Sequence, residues 1–453
     1  MKRYDAILIG TGQATGVILP ELKRLGRSLA IAEHDRPGGT CVNWGCTPTK
    51  ALVASARVAH LARRAADFGI VVGDCRVDFA SVMKRQNAIR NKSKDSMEGW
   101  LREESDFYAG SARFVSDHEV KVGDEIIHGE TIYIHTGARA RVPSIPGLEK
   151  VPFLDNKSIL ALEELPEHLI VIGGSYVGLE FCQIFERLGS RVTVLERKSR
   201  IMSREDPDIS EEATRILSDE GVEIVCETTV DSVETDGDGV TVRVTVGDES
   251  RQVTGSHLLV AAGRAPETDE LNLGAAGVQT DDRGFVVVDE CLRTNVPHIY
   301  AIGDVNGRGA FTHTSVNDGQ IIVAGLRGEQ KLVSERTMIY TLFIDPPLGR
   351  AGMNEAMARE SGRAVLAGSM PMSSVSRAIE KSETAGKAKV LVDAQSRQLL
   401  GATVFGTGGD EVINMLATWM YTGLPYTEYQ KAVLVHPTTG ELMPWLFDSL
   451  EPL

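Results

Sequence analysis

Two stretches of the sequence share one hydrophobic pattern. In each, a short apolar run leads into a glycine turn, at Tyr4-Asp-Ala-Ile-Leu-Ile-Gly10-Thr-Gly12 and at His168-Leu-Ile-Val-Ile-Gly173-Gly-Ser175. A helix-like stretch ending in Leu-Gly follows each turn. A second apolar run then closes on Glu33 or Glu196, in both copies 23 residues after the first glycine. The pattern predicts two strand–helix–strand units that lie 163 positions apart in the chain.

The spacing of glycines and acids in these units is typical of dinucleotide binding. The glycines let the backbone approach a pyrophosphate, the following helix N-terminus offers free N–H groups, and the acid accepts a hydrogen bond from a ribose hydroxyl. Both copies depart from the ideal spacing, because Thr15 stands in the third glycine slot of the first copy and Ser175 in the second slot of the second. Neither departure excludes binding.

The rest of the chain shows a mixed pattern of helices and strands. Helical periodicity covers about Pro48 to Asp67 and about Asp78 to Glu104, strand-like alternation continues through Ile134, and a Pro/Gly linker occupies 143–147. Further strands run from about Val222 to Ala262, and from Met338 the texture changes without another glycine fingerprint. These features predict an α/β protein with two Rossmann-like dinucleotide-binding domains and a separate C-terminal α+β domain.

Two cysteines lie in the glycine-rich stretch that runs from Gly38 to Lys50. Cys41 and Cys46 are five positions apart, and Gly45 eases the bend that would bring their sulfurs together. Pro48 suits the first turn of a helix, which places Cys46 at or just before a helix N-terminus, where the partial positive charge favours a thiolate. The pair is therefore a candidate redox disulfide.

Two other interpretations of the pair are a structural metal half-site and two buried free thiols. A zinc site normally needs four ligands, and no second Cys/His pair of suitable spacing occurs, so we assign no metal. A redox disulfide between two dinucleotide sites predicts an electron relay from a nicotinamide through a flavin to the disulfide and on to a substrate.

Composition and charge narrow the class of partner. The 453 residues carry a formal net charge of −15, so nucleic acid and anionic membrane surfaces are not expected partners. No apolar run reaches the 18 or so residues of a membrane span, and no signal-peptide pattern opens the sequence, which predicts a cytoplasmic protein. The six cysteines are too few for a disulfide-stapled scaffold, and the four outside the redox pair are expected to be structural.

With these motifs in place, the sequence resembles the pyridine nucleotide-disulfide oxidoreductases, which include dihydrolipoyl dehydrogenase, glutathione reductase and mercuric reductase. The resemblance implies FAD as the cofactor of the first unit and makes Cys41 the interchange thiol and Cys46 the charge-transfer thiol. The residues that it assigns to the flavin site are Gly10, Gly12, Thr15, Glu33, Gly39, Thr40, Lys50, Ala112, Thr136, Gly137, Asp304 and His313.

The second unit resembles the family's nicotinamide site. The resemblance makes Tyr176 the ring that covers the flavin until nicotinamide displaces it, and it pairs Glu180 with Lys50 beside the flavin. The other residues that it assigns to nucleotide binding are Gly173, Ser175, Gly178, Glu196 and Gly263.

The C-terminal stretch Leu434-Val-His436-Pro437-Thr438-Thr-Gly-Glu441 resembles the family's catalytic tail. A thiol that attacks or leaves needs a proton partner, and imidazole titrates in the useful range. Glu441 is expected to orient His436 and to stabilise its cationic form. In the family this histidine reaches the redox pair of the partner subunit, which implies a homodimer with composite active sites.

The resemblance also divides the chain. It implies a FAD-binding domain over 1–147, an NAD(P)-binding domain over 148–267, a further FAD-binding or central part over 268–336 and a C-terminal interface domain over 337–453.

Several family activities remain open. The first choice is a mercuric-reductase-like, NAD(P)H-dependent reductase of a small or protein-bound disulfide or of another oxidised-sulfur acceptor. The alternative is a dihydrolipoyl dehydrogenase, although Val42 and Trp44 depart from the stretch usual in that branch. A mercuric or metal-ion reductase ranks third, because soft metals need extra thiolates and no cysteine follows Cys291.

The sequence leaves the choice between NAD and NADP open. Glu196 favours NAD, since a carboxylate repels a 2′-phosphate, whereas Arg197, Lys198 and Arg200 offer cations for such a phosphate.

A flavoprotein that serves mainly as a binding component of a complex would have lost a cysteine, Lys50 or His436. All are present, which favours an enzyme.

Overall fold

Each glycine-rich repeat begins with a strand that lies inside a parallel sheet. The computed structural model describes residues 1–453. In the first repeat the strand is Lys2–Ile9, whose last four residues are buried, and in the second it is the wholly buried His168–Ile172. Continuous burial of isoleucine, leucine and valine is typical of parallel strands that are covered on both faces.

The strands are numbered in chain order. They are β1 Lys2–Ile9, β2 Leu29–Glu33, β3 Asp106–Ala109, β4 Ala112–Phe114, β5 Glu119–Val122, β6 Glu125–Ile134, β7 Ala138–Ala140, β8 His168–Ile172, β9 Arg191–Leu195, β10 Glu223–Val225, β11 Thr228–Asp236, β12 Gly239–Val246, β13 Glu249–Gly255, β14 His257–Val260, β15 Arg264–Pro266, β16 Ile299–Ala301, β17 Ile339–Leu342, β18 Leu348–Gly352, β19 Val365–Pro371, β20 Lys387–Asp393, β21 Leu399–Phe405 and β22 Glu451–Pro452.

The α-helices follow the same convention. They are α1 Thr15–Arg24, α2 Gly39–Trp44, α3 Cys46–Arg63, α4 Phe79–Glu104, α5 Tyr176–Leu188, α6 Pro207–Asp219, α7 Thr312–Leu326, α8 Glu355–Glu360, α9 Ser376–Glu380, α10 Gly409–Thr422 and α11 Tyr426–Tyr429. Short 3-10 helices include Ala65–Phe68, Gly303–Asn306 and Gly440–Ser449.

The chain divides into two units, and unit 1 comprises Met1–Ala51, Met83–Val142 and Gly263–Arg336. Its main sheet has the order β3-β2-β1-β6-β5-β4, with β16 also paired to β6. The pairs β1–β2, β1–β6 and β2–β3 are parallel, whereas β4 and β5 add antiparallel strands at one edge. The carboxyl ends of β1 and β2 therefore meet at one edge of the sheet, where ligands bind in this class of fold.

Unit 2 comprises Leu52–Val82, Pro143–Ala262 and Thr337–Leu453. It holds a second parallel sheet, β10-β9-β8-β14, beside the antiparallel sheet β11-β12-β13. Its C-terminal part is a six-stranded sheet in the order β17-β18-β21-β20-β19-β22, whose apolar core includes α10.

The structure confirms the predicted fold class, with two Rossmann-like sheets and a C-terminal α+β region. The helical pattern predicted from Pro48 to Asp67 is the α-helix Cys46–Arg63 followed by a 3-10 turn, and the pattern from Asp78 is the helix Phe79–Glu104. The predicted Pro/Gly linker at 143–147 begins where unit 1 passes into unit 2. The four-part division at 147, 267 and 336 stays a prediction. None of the helices combines the length and the apolar character that crossing a bilayer requires.

Candidate active site

The first glycine turn of unit 1 leaves no room for side chains. Gly10 has a φ of +102°, and a Cβ placed on it would lie 2.3 Å from the carbonyl oxygen of His135. A Cβ on Gly12 would meet the His135 ring at 2.6 Å, and one on Gly39 would lie 3.0 Å from the Cα of Gly12. The structure thus brings Gly10, Gly12 and Gly39 together into one bare backbone surface at the N-terminal end of α1, which fits a pyrophosphate.

The acid of this unit lies beside the same turn. Glu33 ends β2 and is 7% exposed. Its Oε2 accepts hydrogen bonds from the Thr11 N–H at 3.1 Å and from the Thr11 hydroxyl at 2.5 Å, and its Oε1 accepts from the Asp35 N–H at 2.9 Å. These bonds fix the carboxylate as an acceptor at the end of the strand, where the ribose of a dinucleotide lies in Rossmann units. The residues of unit 1 therefore fit FAD.

A buried histidine, His135, packs against the first glycine turn, and it was not predicted from the sequence. The two nitrogens of His135 contact the hydroxyls of Thr15, at 3.4 Å, and of Ser315, at 3.1 Å. Burial lowers the pKa of His135 to about 4, so the ring is neutral at pH 7. The hydroxyl of Thr15, the departure from the glycine pattern, thus has the His135 ring as its partner. The only signal in the sequence was a histidine directly before Thr136-Gly137.

The remaining flavin-site candidates of unit 1 lie on several elements. Ala112 is buried on β4, and the Thr136 hydroxyl donates to the Glu267 carbonyl at 2.7 Å, next to Gly137 with its φ of +74°. Burial raises the pKa of Asp304, and the Arg264 guanidinium 3.6 Å away opposes that rise. His313 is exposed and stacks on Phe311, with ring centroids 5.4 Å apart.

The redox pair lies where α2 gives way to α3. Cys41 is half-buried in α2, and Cys46 is the exposed first residue of α3, as the position of Pro48 predicted. Hydrogen bonding to Cys46 and burial raise the pKa of the Cys41 thiol, while Thr312 and the charge of Lys50 act in the opposite direction. The structure therefore brings Cys41, Cys46 and Lys50 together.

Thr312 is a second residue that the sequence did not reveal. Its hydroxyl lies 3.4 Å from the Cys46 sulfur, although the two residues are 266 positions apart in the chain. A hydroxyl at this distance can donate a hydrogen bond to a thiolate, which stabilises the charged form of a sulfur that already lies at a helix N-terminus. No motif marks Thr312, because the contact exists only in the folded chain.

The second glycine turn, in unit 2, repeats the first. Gly173 has a φ of +113°, and a Cβ on it would lie 2.6 Å from the Ala261 carbonyl oxygen. A Cβ on Gly178 would lie 2.2 Å from the Gly173 carbonyl oxygen, so this glycine allows α5 to pack closely against β8. Glu196 accepts from the Gly174 N–H at 2.7 Å and from the Lys198 N–H at 2.8 Å. Unit 2 therefore fits a nicotinamide dinucleotide.

Three further nucleotide-site candidates lie around this turn or beyond it. Ser175 is the exposed residue that precedes α5. Glu180 is buried in α5 and accepts a hydrogen bond from the Phe343 N–H at 2.9 Å. Gly263 belongs to unit 1, where its carbonyl accepts from the Arg141 N–H at 2.9 Å.

Tyr176, the first residue of α5, is held by a buried carboxylate. Its hydroxyl donates to Glu205 at 2.6 Å, and the Tyr340 hydroxyl donates to the same oxygen at 2.5 Å. Burial, with the Glu205 charge next in importance, raises the pKa of Tyr176. Arg350 forms an ion pair with Glu205 at 2.9 Å, and the two side chains are 3% and 0% exposed. Glu205 and Arg350 were not among the residues predicted from sequence.

The C-terminal pair forms within unit 2. His436 Nδ1 lies 2.9 and 3.1 Å from the two carboxylate oxygens of Glu441. The His436 side chain is 73% exposed and that of Glu441 is 12% exposed. With Nδ1–H donating to the carboxylate, Nε2 remains for proton exchange with a neighbouring group. The structure thus joins His436 to Glu441 as expected from the sequence. Pairing of Lys50 with Glu180, and of His436 with the cysteines, links residues of different units and stays a prediction.

Comparison with known proteins gives the context of these sites. The family model of the pyridine nucleotide-disulphide oxidoreductases matches residues 4–319, and that of their dimerisation domain matches residues 338–447. The chain is 35% identical to the probable pyridine nucleotide-disulfide oxidoreductase RclA of Escherichia coli over 100% of both chains. It is also 35% identical to the mercuric reductase of Streptomyces lividans, over 96% of this chain and 93% of that one.

A further relative and a solved structure indicate the same family. The dihydrolipoyl dehydrogenase of Bacillus subtilis is 32% identical over 97% of this chain and 94% of its own. The solved Cu(II) complex of the HOCl-induced flavoprotein disulfide reductase RclA from Escherichia coli superposes with a TM-score of 0.90, at 35% identity over 99% of each chain. The dimerisation domain and these relatives support a homodimer and a disulfide substrate. The chain therefore belongs to the pyridine nucleotide-disulfide oxidoreductases, and it is an FAD-dependent oxidoreductase that acts on sulfur groups.

Proposed function

We propose that this enzyme uses NAD(P)H to reduce a disulfide or another oxidised-sulfur acceptor through Cys41 and Cys46. The observation that carries the proposal is the asymmetry of the pair. The Cys41 thiol has a raised pKa and is half-buried, whereas Cys46 lies exposed at the N-terminus of an 18-residue helix with a hydroxyl beside it. Such an arrangement keeps the proton on Cys41 and the negative charge on Cys46.

Each side chain then has one task. FAD, when bound in unit 1, would supply the hydride chemistry that carries two electrons from NAD(P)H to the cysteine pair. Cys46 carries the thiolate, which Thr312 and the helix N-terminus stabilise. Cys41 gives up its proton and attacks the acceptor sulfur, forming a mixed disulfide and releasing a thiolate that takes a proton. The Cys46 thiolate then attacks the Cys41 sulfur, which restores the disulfide and releases the second sulfur as a thiolate that takes a proton from solvent.

His436 supplies the proton exchange in this proposal. Its Nε2 accepts the proton of Cys41 and returns it to the leaving thiolate, while Glu441 holds the ring and stabilises its cation. Because the family's dimerisation domain covers this segment, we place the histidine at the redox pair of the partner subunit, in a homodimer with composite active sites.

Anaerobic titration with NADH or NADPH tests the assignment of the sulfurs. One equivalent should produce a long-wavelength thiolate–flavin absorption band in the wild type and in the control Cys291→Ser, which changes a cysteine outside the pair. The band should be absent in Cys46→Ser, and in Cys41→Ser the free Cys46 thiolate should give it before any reductant is added. Persistence of the band in Cys46→Ser would overturn the assignment.

The nicotinamide is proposed to be NAD. Glu196 is held by two backbone N–H groups at the end of β9, where a carboxylate accepts from ribose hydroxyls and repels a 2′-phosphate. Arg197 and Lys198 follow it as exposed cations. The ratio of kcat/KM for NADH to that for NADPH should fall in Glu196→Gln. A strong NADPH preference in the wild type that disappears in Arg197→Ala would reverse the proposal.

The acceptor is tested by side-by-side turnover. Dihydrolipoyl oxidation with NAD is the second candidate, favoured by the joined His436–Glu441 pair and by the relative from Bacillus subtilis. Lipoamide, glutathione disulfide, oxidised thiocyanate species, Hg(II) and Cu(II) should be assayed with the same preparation. Fast turnover of lipoamide with NAD would select the second candidate. Faster turnover of a metal ion than of every sulfur acceptor would reject both.

A further inference from the structure

We propose that unit 1 carries a binding site for a divalent transition-metal ion, formed by His118, His128 and His298 and separate from the flavin and redox residues. The rings of His118 and His298 stack with centroids 3.8 Å apart and planes 2° apart, and the His128 ring lies 5.3 Å from that of His118. We call these three residues the histidine cluster. Three of the ten histidines of the chain therefore meet at one place.

The backbone fixes the cluster to a single strand. His128 lies in β6, and His118, in the turn between β4 and β5, accepts a hydrogen bond at its carbonyl from the Gly129 N–H at 2.9 Å. His298, directly before β16, accepts in the same way from the Ile132 N–H at 3.0 Å. A site whose ligands are all anchored to one strand is held by a rigid element rather than by a mobile loop.

Hydrogen bonds also select which nitrogen of the His118 and His298 rings is available. His118 Nδ1 lies 2.9 Å from the Gly129 carbonyl oxygen, and His298 Nε2 lies 2.9 Å from the Asp117 carbonyl oxygen. A carbonyl can only accept, so these nitrogens carry the protons, and His118 Nε2 and His298 Nδ1 keep their lone pairs. Metal-binding histidines in proteins commonly donate the other ring N–H to a backbone carbonyl in this way.

Carboxylates supplement the imidazoles on both sides of the cluster. Ligand atoms of Asp117, His118 and His298 lie within 4.8 Å of one another, and so do those of His118, His128 and Glu130. His128 Nε2 lies 3.2 Å from Glu130 Oε1, and the Glu130 side chain is 63% exposed, so this carboxylate can move towards an ion. The second torsion of histidine is broad, which lets the His128 ring turn towards the lone pairs of His118 and His298 without breaking the bonds of those two rings to backbone carbonyls.

The donor set defines the class of ion. Neutral imidazoles with one or two carboxylates suit Zn(II), Ni(II) and Cu(II), whereas Mg(II) and Ca(II) prefer oxygen ligands alone. None of the cluster residues is a cysteine or belongs to the candidate flavin site. The site therefore does not depend on the proposed function, and an ion can bind there while the redox pair is oxidised, reduced or absent.

The test uses the FAD-loaded Cys41→Ser/Cys46→Ser protein, in which the redox thiols cannot bind metal. Calorimetric titration with Zn(II) alone should show one site per chain. Cu(II) added at half an equivalent should give an electron paramagnetic resonance spectrum with coupling to at least two nitrogens. His298→Ala and His118→Gln should each weaken Zn(II) binding at least about tenfold, since they remove a ligand or change its donor atom.

His257→Gln in the same background is the matched control, because His257 lies on β14 of unit 2, outside the cluster. It should keep wild-type binding. Flavin content and circular dichroism verify that each variant is folded, and His118→Gln retains an amide donor for the Gly129 carbonyl should His298→Ala fail to fold. Unchanged Zn(II) affinity in both cluster variants, or a Cu(II) spectrum without nitrogen coupling, would overturn the proposal.

Discussion

Gly10 and Gly16 stand six residues apart in the first repeat, and the space around them for a side chain differs. There is none at Gly10 and ample space at Gly16. Gly10 has a positive φ and lies against the His135 carbonyl, so a side chain there meets both backbone strain and a rigid neighbour. Gly16 lies exposed in α1 with no atom within 4 Å of the space that a Cβ would fill. The same substitution at the two positions therefore separates the requirement for bare backbone from the general effect of alanine.

Gly10→Ala should reduce the FAD content of the purified protein severely, because the new methyl group displaces the turn that we propose binds the cofactor. Gly16→Ala should retain full FAD content and raise the free energy of unfolding by up to about 1 kcal/mol, since alanine favours the helix over glycine. The flavin-to-protein absorbance ratio and urea unfolding of both variants are the measurements. Equal FAD content in the two would contradict the assignment of Gly10.

His135 makes stability depend on pH. Its pKa is lowered to about 4 in the fold from an ordinary value of 6.5, so between these values the unfolded chain binds a proton that the folded chain does not. The free energy of unfolding should therefore fall by about 2 kcal/mol between pH 7 and pH 5 through this residue alone. Urea unfolding across this range should show a shallower decline in His135→Gln. His34 is exposed, so His34→Gln should follow the wild type. Parallel curves for all three proteins would show that His135 is not the source of the pH dependence.

At the scale of elements, Glu205 joins three parts of unit 2. It accepts hydrogen bonds from Tyr176 at the start of α5 and from Tyr340 on β17, and it pairs with Arg350 on β18. The carboxylate and the guanidinium are both buried, so each depends on the other for compensation of its lost hydration. Removing one partner leaves a buried charge without its counterion.

Glu205→Gln should lower the free energy of unfolding by about 3–5 kcal/mol, because the buried Arg350 charge loses its ion-pair partner. Glu380→Gln is the matched control, since Glu380 pairs with Arg377 at 3.1 Å with both side chains more than 40% exposed. That change should cost no more than about 1 kcal/mol. Thermal unfolding of both variants gives the comparison, and similar losses would show that burial does not set the strength of the Glu205 pair.

The features that could be predicted from the sequence are the local ones. The two glycine turns, the acid that ends β2, the acid that follows β9, and the cysteine pair were predictable because each motif lies within one short stretch of chain. His135, Thr312 and Glu205 were not predictable, since their partners come from remote segments and no periodic pattern marks them. Hydrogen bonds between distant segments depend on the tertiary fold, so a single sequence carries no local record of them.

At the scale of the whole molecule, the family's dimerisation domain extends over residues 338–447 and contains His436 and Glu441. An enzyme whose redox cysteines and proton-exchanging histidine come from different subunits needs the dimer for every turnover. A two-fold symmetric dimer would hold two such sites, each built from both chains. The exposure of His436, whose side chain is 73% accessible in the single chain, is consistent with a role outside its own subunit.

Co-expression of Cys46→Ser and His436→Ala chains tests this arrangement. Each homodimer should be nearly inactive, because every site lacks either the thiolate or the proton partner. In a mixed dimer, one site inherits both defects and the other inherits none, so random pairing should restore about a quarter of wild-type activity. Differently tagged chains allow the mixed dimer alone to be isolated, and it should reach about half of the wild-type value. Were the histidine to serve the cysteines of its own subunit, the mixed dimer would be as inactive as its parents, since no site would then contain both groups intact.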